Sequence, residues 1–170
     1  MAEHLWPLVR LEAATEEELI EAYRQLYLET YVKSGVEHFD WHGNRVYFSA
    51  RIFDHAFSEG SDYRFNPGVH DLPFSKRRAR CILWIKEILA ASKGTIEVLQ
   101  QFRKDSRNRQ RKRRVLLVVE EKYVVVLDVR DNHREYDFIS AFPADEMYLK
   151  KLRKDALLLE TKKSPSLNGD

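Results

Sequence analysis

Between Thr15 and Lys33 the apolar positions Leu19, Tyr23, Leu26, Tyr27 and Tyr31 recur three or four apart, the period of one helix face. Thr15 stands just before Glu16, Glu17 and Glu18, offering a capping hydroxyl followed by first-turn anions, so the pattern predicts an amphipathic helix over residues 16–33. "HFDWHGNR" reads as a loop turning at Gly43 and Asn44. "RVYFS" (45–49) has strand composition, and "ARIFDHAFSE" (50–59) puts Ile52, Phe53, Ala56 and Phe57 on one face of a short helix. Gly60, Pro67, Gly68 and Pro73 mark residues 60–74 as an irregular loop, after which Ser75 can cap a second long helix over 76–91.

Beyond Gly94 the period changes. "TIEVLQQF", "RVLLVVEE", "KYVVVLDVR" and "REYDFISAF" are four β-rich runs, and the connections "EEK" and "DNH" are short enough to demand antiparallel pairing. Pro143 ends the last run, and "ADEMYLKKLRKDALLLE" reads as a closing helix carrying Met147, Leu149, Leu152 and Leu157 to Leu159. The expected architecture is α+β: N-terminal helices packed on a four-stranded antiparallel β-meander, with a closing C-terminal helix. Residues 1–160 are expected to form a single domain, comprising a helical N-terminal extension over 1–44 and an α+β core over 45–160; residues 161–170 are expected to be a disordered tail.

The formal charge of the 170-residue chain, +2, changes this picture once it is resolved along the sequence. Residues 103–114, "RKDSRNRQRKRR", hold eight Lys/Arg against one Asp, so a net of +7 sits in twelve residues and −5 is left for the rest. Such a cluster attracts polyanions, above all the phosphate backbone of nucleic acid. It also reads as a solvated connector or a localisation signal. With no apolar residue between Phe102 and Val115, it is expected to be a flexible loop beyond the sheet edge, with Arg109, Arg111, Lys112 and Arg113 contributing to substrate binding.

Cys81 is the only cysteine, which excludes an intramolecular disulfide and a four-cysteine zinc site; in "RRARCILWIKEIL" it reads as a buried structural thiol. The first residues lack a basic start and an apolar h-region, and no apolar run approaches the roughly 18 residues of a membrane span. A cytoplasmic protein without membrane contact is the expectation.

Candidate chemistry centres on His55. It lies four residues after Arg51, so the two project together from the flank of the apolar stripe. A surface histidine bonded to a carbonyl is the plain alternative. An imidazole beside a guanidinium, however, is what phosphodiester chemistry needs: a group titrating near neutrality and a planar fork for phosphate oxygens. On the last strand, alternation groups Tyr136, Phe138, Ser140 and Phe142, with Ser140 as a phosphate donor and Tyr136 as a stacking surface for a base. His38 and His42 are also four apart, but in a turn-rich loop where helical register cannot bring them together on a metal. No Gly-rich phosphate loop or Gly-x-Ser-x-Gly elbow is present.

The order of "FDHAF", "RRARCILWIKEIL", "EEKYVVVLDVR" and "YDFISAFPA" resembles the nuclease superfamily of barnase, EndoU, colicin nucleases and RelE, particularly its phage-associated members, over roughly residues 45–150. The resemblance implies helices on an antiparallel four-stranded sheet and RNA cleavage without metal or cofactor, often as a toxin. It implies that His55 is the helix histidine acting as acid or base and Ser140 the hydroxyl of the last strand. Arg51, Arg77 and Arg80 are implied less directly, as phosphate ligands or as partners of the acidic N-terminal helix. The basic insertion and the long first helix depart from the family pattern. The resulting expectation is a metal-independent endoribonuclease that forms a 2′,3′-cyclic phosphate, with RNA as substrate and an acidic antitoxin or immunity protein as a further partner. The alternatives are a non-catalytic RNA- or DNA-binding module using the basic segment, and a protein-interaction domain meeting an acidic partner.

Overall fold

The computed structural model describes residues 3–59 and 73–164. Helix α1 (Glu16–Tyr27) begins where expected, with the Thr15 hydroxyl accepting from the Glu18 amide at 3.1 Å. Leu19, Tyr23 and Tyr27 are its buried positions. It widens into a π-helical segment, Leu28–Val32, that keeps Tyr31 on the buried face. Strands β1 (His38–Phe39) and β2 (Arg45–Tyr47) form a short antiparallel pair, followed by α2 (Ile52–Ala56), which buries Phe53, Ala56 and Phe57. The loop expected at 60–74 lies largely outside the described residues; at its ends the Glu59 amide donates to the Pro73 carbonyl and Ser58 pairs with Phe74.

The long helix expected over 76–91 is two short ones, α3 (Lys76–Ala79) and α4 (Trp84–Leu89). Ser75 caps the first, accepting from the Arg78 amide at 3.2 Å. The break has an identifiable cause. The Tyr31 hydroxyl donates to the Ile82 carbonyl at 2.6 Å and accepts from the Lys86 amide at 3.2 Å, so it stands where one helical hydrogen bond would have closed. Residues between the helices turn tightly through Cys81, Ile82 and Trp84 amides that donate three residues back.

The sheet differs from the expected four-stranded antiparallel meander. Among the described residues it has seven strands and is mixed, in the order β1-β2-β6-β5-β4-β3-β7. Its centre is β3 (Thr95–Lys104), β4 (Gln110–Val118), β5 (Tyr123–Val129) and β6 (Glu135–Pro143), paired antiparallel in sequence. Strand β2 joins parallel to β6 at only three positions. Side chains reinforce so short a pairing: Tyr47 donates to Glu135 at 2.6 Å, and the Arg130 guanidinium lies 3.8 Å from the Tyr47 ring centre.

The other addition corrects the reading of the C-terminus. Helix α5 (Glu146–Asp155) stops early, and Leu157–Lys163 forms β7, antiparallel to β3. Three consecutive leucines do not make a helical stripe, and the open side of β3 offers them a ladder; Leu157, Leu158 and Leu159 remain exposed. Residues 161–163, expected in a disordered tail, therefore lie in a strand, and 165–170 fall outside the described residues. The sheet curls enough for its ends to meet. Trp41, in the turn between β1 and β2, donates to Glu160 of β7 at 3.1 Å, and His42 Nε2 lies 2.6 Å from the same carboxylate.

Each face has its own core. One contains Tyr23, Tyr27, Tyr31, Phe48, Phe53, Phe57 and Phe138 under α1, α2 and α4, and Trp6 from the N-terminal segment belongs to it. The other packs Leu149 and Leu152 of α5 on Leu99, Val115, Leu117, Val124 and Val126. Cys81 is buried, and desolvation pushes its thiol up to about 12. No helix among the described residues is long and apolar enough to cross a membrane.

Candidate active site beside strand β6

Helices α2 and α3 pack against β6. On α2, the burial of Phe53, Ala56 and Phe57 turns Asp54 and His55 outward, and both are exposed. Asp54 accepts from Arg24 of α1 at 3.0 Å, and the Arg24 guanidinium lies 4.8 Å from the Phe53 ring centre, fixing the helix from its other flank. Arg51 precedes the first helical residue and is exposed. The His55 imidazole is held below the ordinary histidine value of 6.5, first by desolvation and then by the positive charges of Arg113 on β4 and Arg78 on α3. Both causes favour the neutral ring, whose lone pair can accept a proton.

A bulge alters the faces of β6. Leu127 pairs with Phe138, but Val126 pairs with Ser140, so Ile139 is the extra residue. Tyr136 and Phe138 belong to the helix-side core and Phe142 to the core under α5, which separates residues that simple alternation grouped together. Ser140, opposite Val126, is 2% exposed, and among the described residues its buried hydroxyl has no hydrogen-bond partner. It does not present a donor to solvent. Tyr136 is likewise buried at 4%, and its hydroxyl accepts from Arg114 at 3.3 Å, so its ring is core and not a stacking surface.

The expected flexible basic loop is instead an ordered hairpin. Strand β3 runs to Lys104 and β4 starts at Gln110. The one acid of the segment organises the turn: the Asp105 carboxylate accepts from the Arg107 and Arg109 amides, both at 2.9 Å, and from Arg109 Nε at 3.0 Å. Those bonds, the Arg109 amide first, hold its carboxyl below the usual range. Pairing then sorts the cations by face. Arg103, Arg111 and Arg113 share the side of Leu99, Val115 and Leu117; Asp128 accepts from Arg103 at 2.9 Å and from Arg113 at 3.3 Å, while Asp131 accepts from Arg111 at 2.6 Å. Phe102, Lys112 and Arg114 lie on the other side.

Of the sequence candidates, the structure brings Arg113 within electrostatic reach of His55. Arg77 is exposed and 3.8 Å from Glu59, and Arg80 is half-buried, its carbonyl accepting from the Val9 amide. Arg109 is occupied by Asp105, and Lys112 is half-buried on the opposite face of the hairpin.

Sequence reasoning missed Arg78, which is fully buried, donates to the Ala56 carbonyl at 3.4 Å and lies 4.7 Å from the Phe142 ring centre. Its signal was the apolar Ile82 four residues on, which marks Arg78 as the inward member of the "RRAR" run. The two loop histidines diverge: His38 Nε2 is 2.8 Å from the Thr30 carbonyl, whereas His42 meets Glu160. Among the described residues no group of three or more His, Cys, Asp or Glu is placed to hold a metal ion.

No protein-family model matches the chain, and comparison with curated proteins and with solved structures finds no match either.

Proposed function

We propose that this chain is a metal-independent endoribonuclease whose general base is His55. The observation that carries the reading is an imidazole on the outward flank of α2, its pKa lowered by desolvation and by the positive field of Arg113 and Arg78. His55 takes the proton of a ribose 2′-hydroxyl. The 2′-oxygen forms a bond to the adjacent phosphorus, and the bond from phosphorus to the 5′-oxygen breaks, leaving a 2′,3′-cyclic phosphate. The departing oxygen takes a proton from solvent. Arg51, one helical turn before His55, and Arg113 supply positive charge as the phosphorane forms. Ser140 and Tyr136 are assigned no contact with substrate. Total RNA incubated in EDTA should yield fragments ending in cyclic phosphate and 5′-hydroxyl; intact RNA, or 3′-hydroxyl ends, would defeat the proposal.

The second reading, nucleic-acid binding without cleavage, is favoured by the ordered hairpin. Replacing Arg109, Arg111 and Lys112 together with Ser should weaken RNA binding by a similar factor for all sequences and flatten its salt dependence, because fewer counterions are released. Titrations between 50 and about 200 mM salt, the range over which such contacts lose most affinity, measure that slope. The rate at saturating RNA should change little.

A further inference from the structure

Phe102 is 53% exposed, although Ile96, Val98 and Gln100 on the same face of β3 are buried. It forms one wall of a shallow cavity of about 100 Å³ at the end of the sheet, with Lys112, Val129, Arg130, Asp131 and His133 among the other walls. Lys112 is the cross-strand partner of Phe102. Among the described residues Lys112 makes no ion pair, whereas Arg111, Arg113 and Arg130 are matched to carboxylates. The fold thus places an uncovered aromatic face beside an uncommitted ammonium, at the tip of the most cationic segment of the chain.

We infer that this cavity seats one unstacked base of a single-stranded nucleic acid, with the Phe102 ring against the base and Lys112 on an adjacent phosphate. The inference rests on the nucleic-acid reading above and adds the strand state of the ligand. An aromatic face accepts any base, but only one that has left a duplex stack. Asp131 and His133 at the rim carry polar groups that can meet the edge of the base. A run of Asp and Glu would satisfy the cations but brings no flat ring to cover Phe102. Because Lys112 and Arg113 are successive residues on opposite faces, the strand reaches the arginine face by crossing the hairpin.

The test uses the full chain and a fluorescent 2′-O-methyl RNA 12-mer, which lacks the nucleophile for cleavage, alongside the same sugar–phosphate chain without bases and a duplex of the same length. Phe102→Ala should weaken binding of the base-bearing single strand by about 5- to 150-fold, the loss expected for one stacked base, and leave the abasic chain and the duplex nearly unchanged. Phe102→Trp should restore binding, with its indole emission altered only by the base-bearing strand. Equal losses on base-bearing and abasic chains, no loss on either, or a Phe102-dependent affinity for polyglutamate in place of RNA would overturn the inference. Base-dependent binding without RNA cleavage would remove the nuclease reading alone, and cleavage without base-dependent binding would remove this one alone.

Discussion

His55→Ala lowers RNA cleavage by ~10²–10⁴-fold, the usual contribution of a positioned acid or base, and leaves the melting temperature nearly unchanged. The first expectation follows from the lowered pKa of the imidazole, the second from its exposure on the outer flank of a helix held by Phe53, Ala56 and Phe57. The pH profile gives the sharper test. A base whose pKa is depressed stays active below the ordinary histidine value, so the acid limb of kcat/KM should lie below 6.5. Arg113→Gln removes one source of the depression, and protonation then becomes easier. The acid limb should therefore move upward, towards the ordinary value, even as the rate falls. A limb that stays fixed in Arg113→Gln, or cleavage that survives His55→Ala, would take His55 out of the chemistry.

Arg78→Ala destabilises the fold by about 3–5 kcal/mol, comparable with breaking a buried charged contact or emptying a core position. The side chain has no exposed surface and joins the two halves of the structure, reaching the Ala56 carbonyl of α2 on one side and the Phe142 ring of β6 on the other. Truncation empties that volume and strands the carbonyl it served. Arg78→Met separates these contributions: methionine refills much of the space but donates nothing, so only the packing share returns. Urea unfolding of the three proteins measures both. A loss below about 1 kcal/mol for alanine, in the range of ordinary surface changes, would mean that the guanidinium is dispensable to the fold. Because Arg78 also contributes to the field on His55, either substitution should raise the imidazole pKa in the protein that still folds.

The parts of this architecture legible in the sequence are those that neighbouring residues decide among themselves. Thr15 with its three glutamates, the Leu19–Tyr23–Tyr27 stripe and the Ser75 cap act over one or two turns, and each has its local consequence in the structure. Features that depend on distant partners were not legible. Leu157 to Lys163 become a strand only because β3 has an open side, and β2 lies parallel to β6 across nearly ninety residues. The basic segment misled for a different reason. Counting like charges makes it seem self-repelling, but strand pairing alternates the side chains between faces and sets Asp128 and Asp131 against the arginines of one face. The single extra residue at Ile139 has no signature in an alternating pattern, so Ser140 and Tyr136 were assigned to a shared surface that the bulge divides. The outward placement of His55 is legible because its helix is short, amphipathic and locally determined; the burial of Arg78 is not, because burial of an arginine is a tertiary fact.

The Tyr31 hydroxyl, lodged between the Ile82 carbonyl and the Lys86 amide, makes the shape of one segment conditional on the arrival of another. Alone, residues 76–89 could close that bond themselves and extend as one helix, since helix propagation rewards each added turn. In the protein the same two groups are served by Tyr31 of the π-helical segment that continues α1, so the kink and the docking of that segment form together and are lost together. The two regions, some fifty residues apart in the chain, are thereby one cooperative unit of opening. The Lys86 amide, bonded to the Tyr31 hydroxyl, should therefore exchange with solvent at a rate set by the undocking of that segment, which amide hydrogen exchange measures.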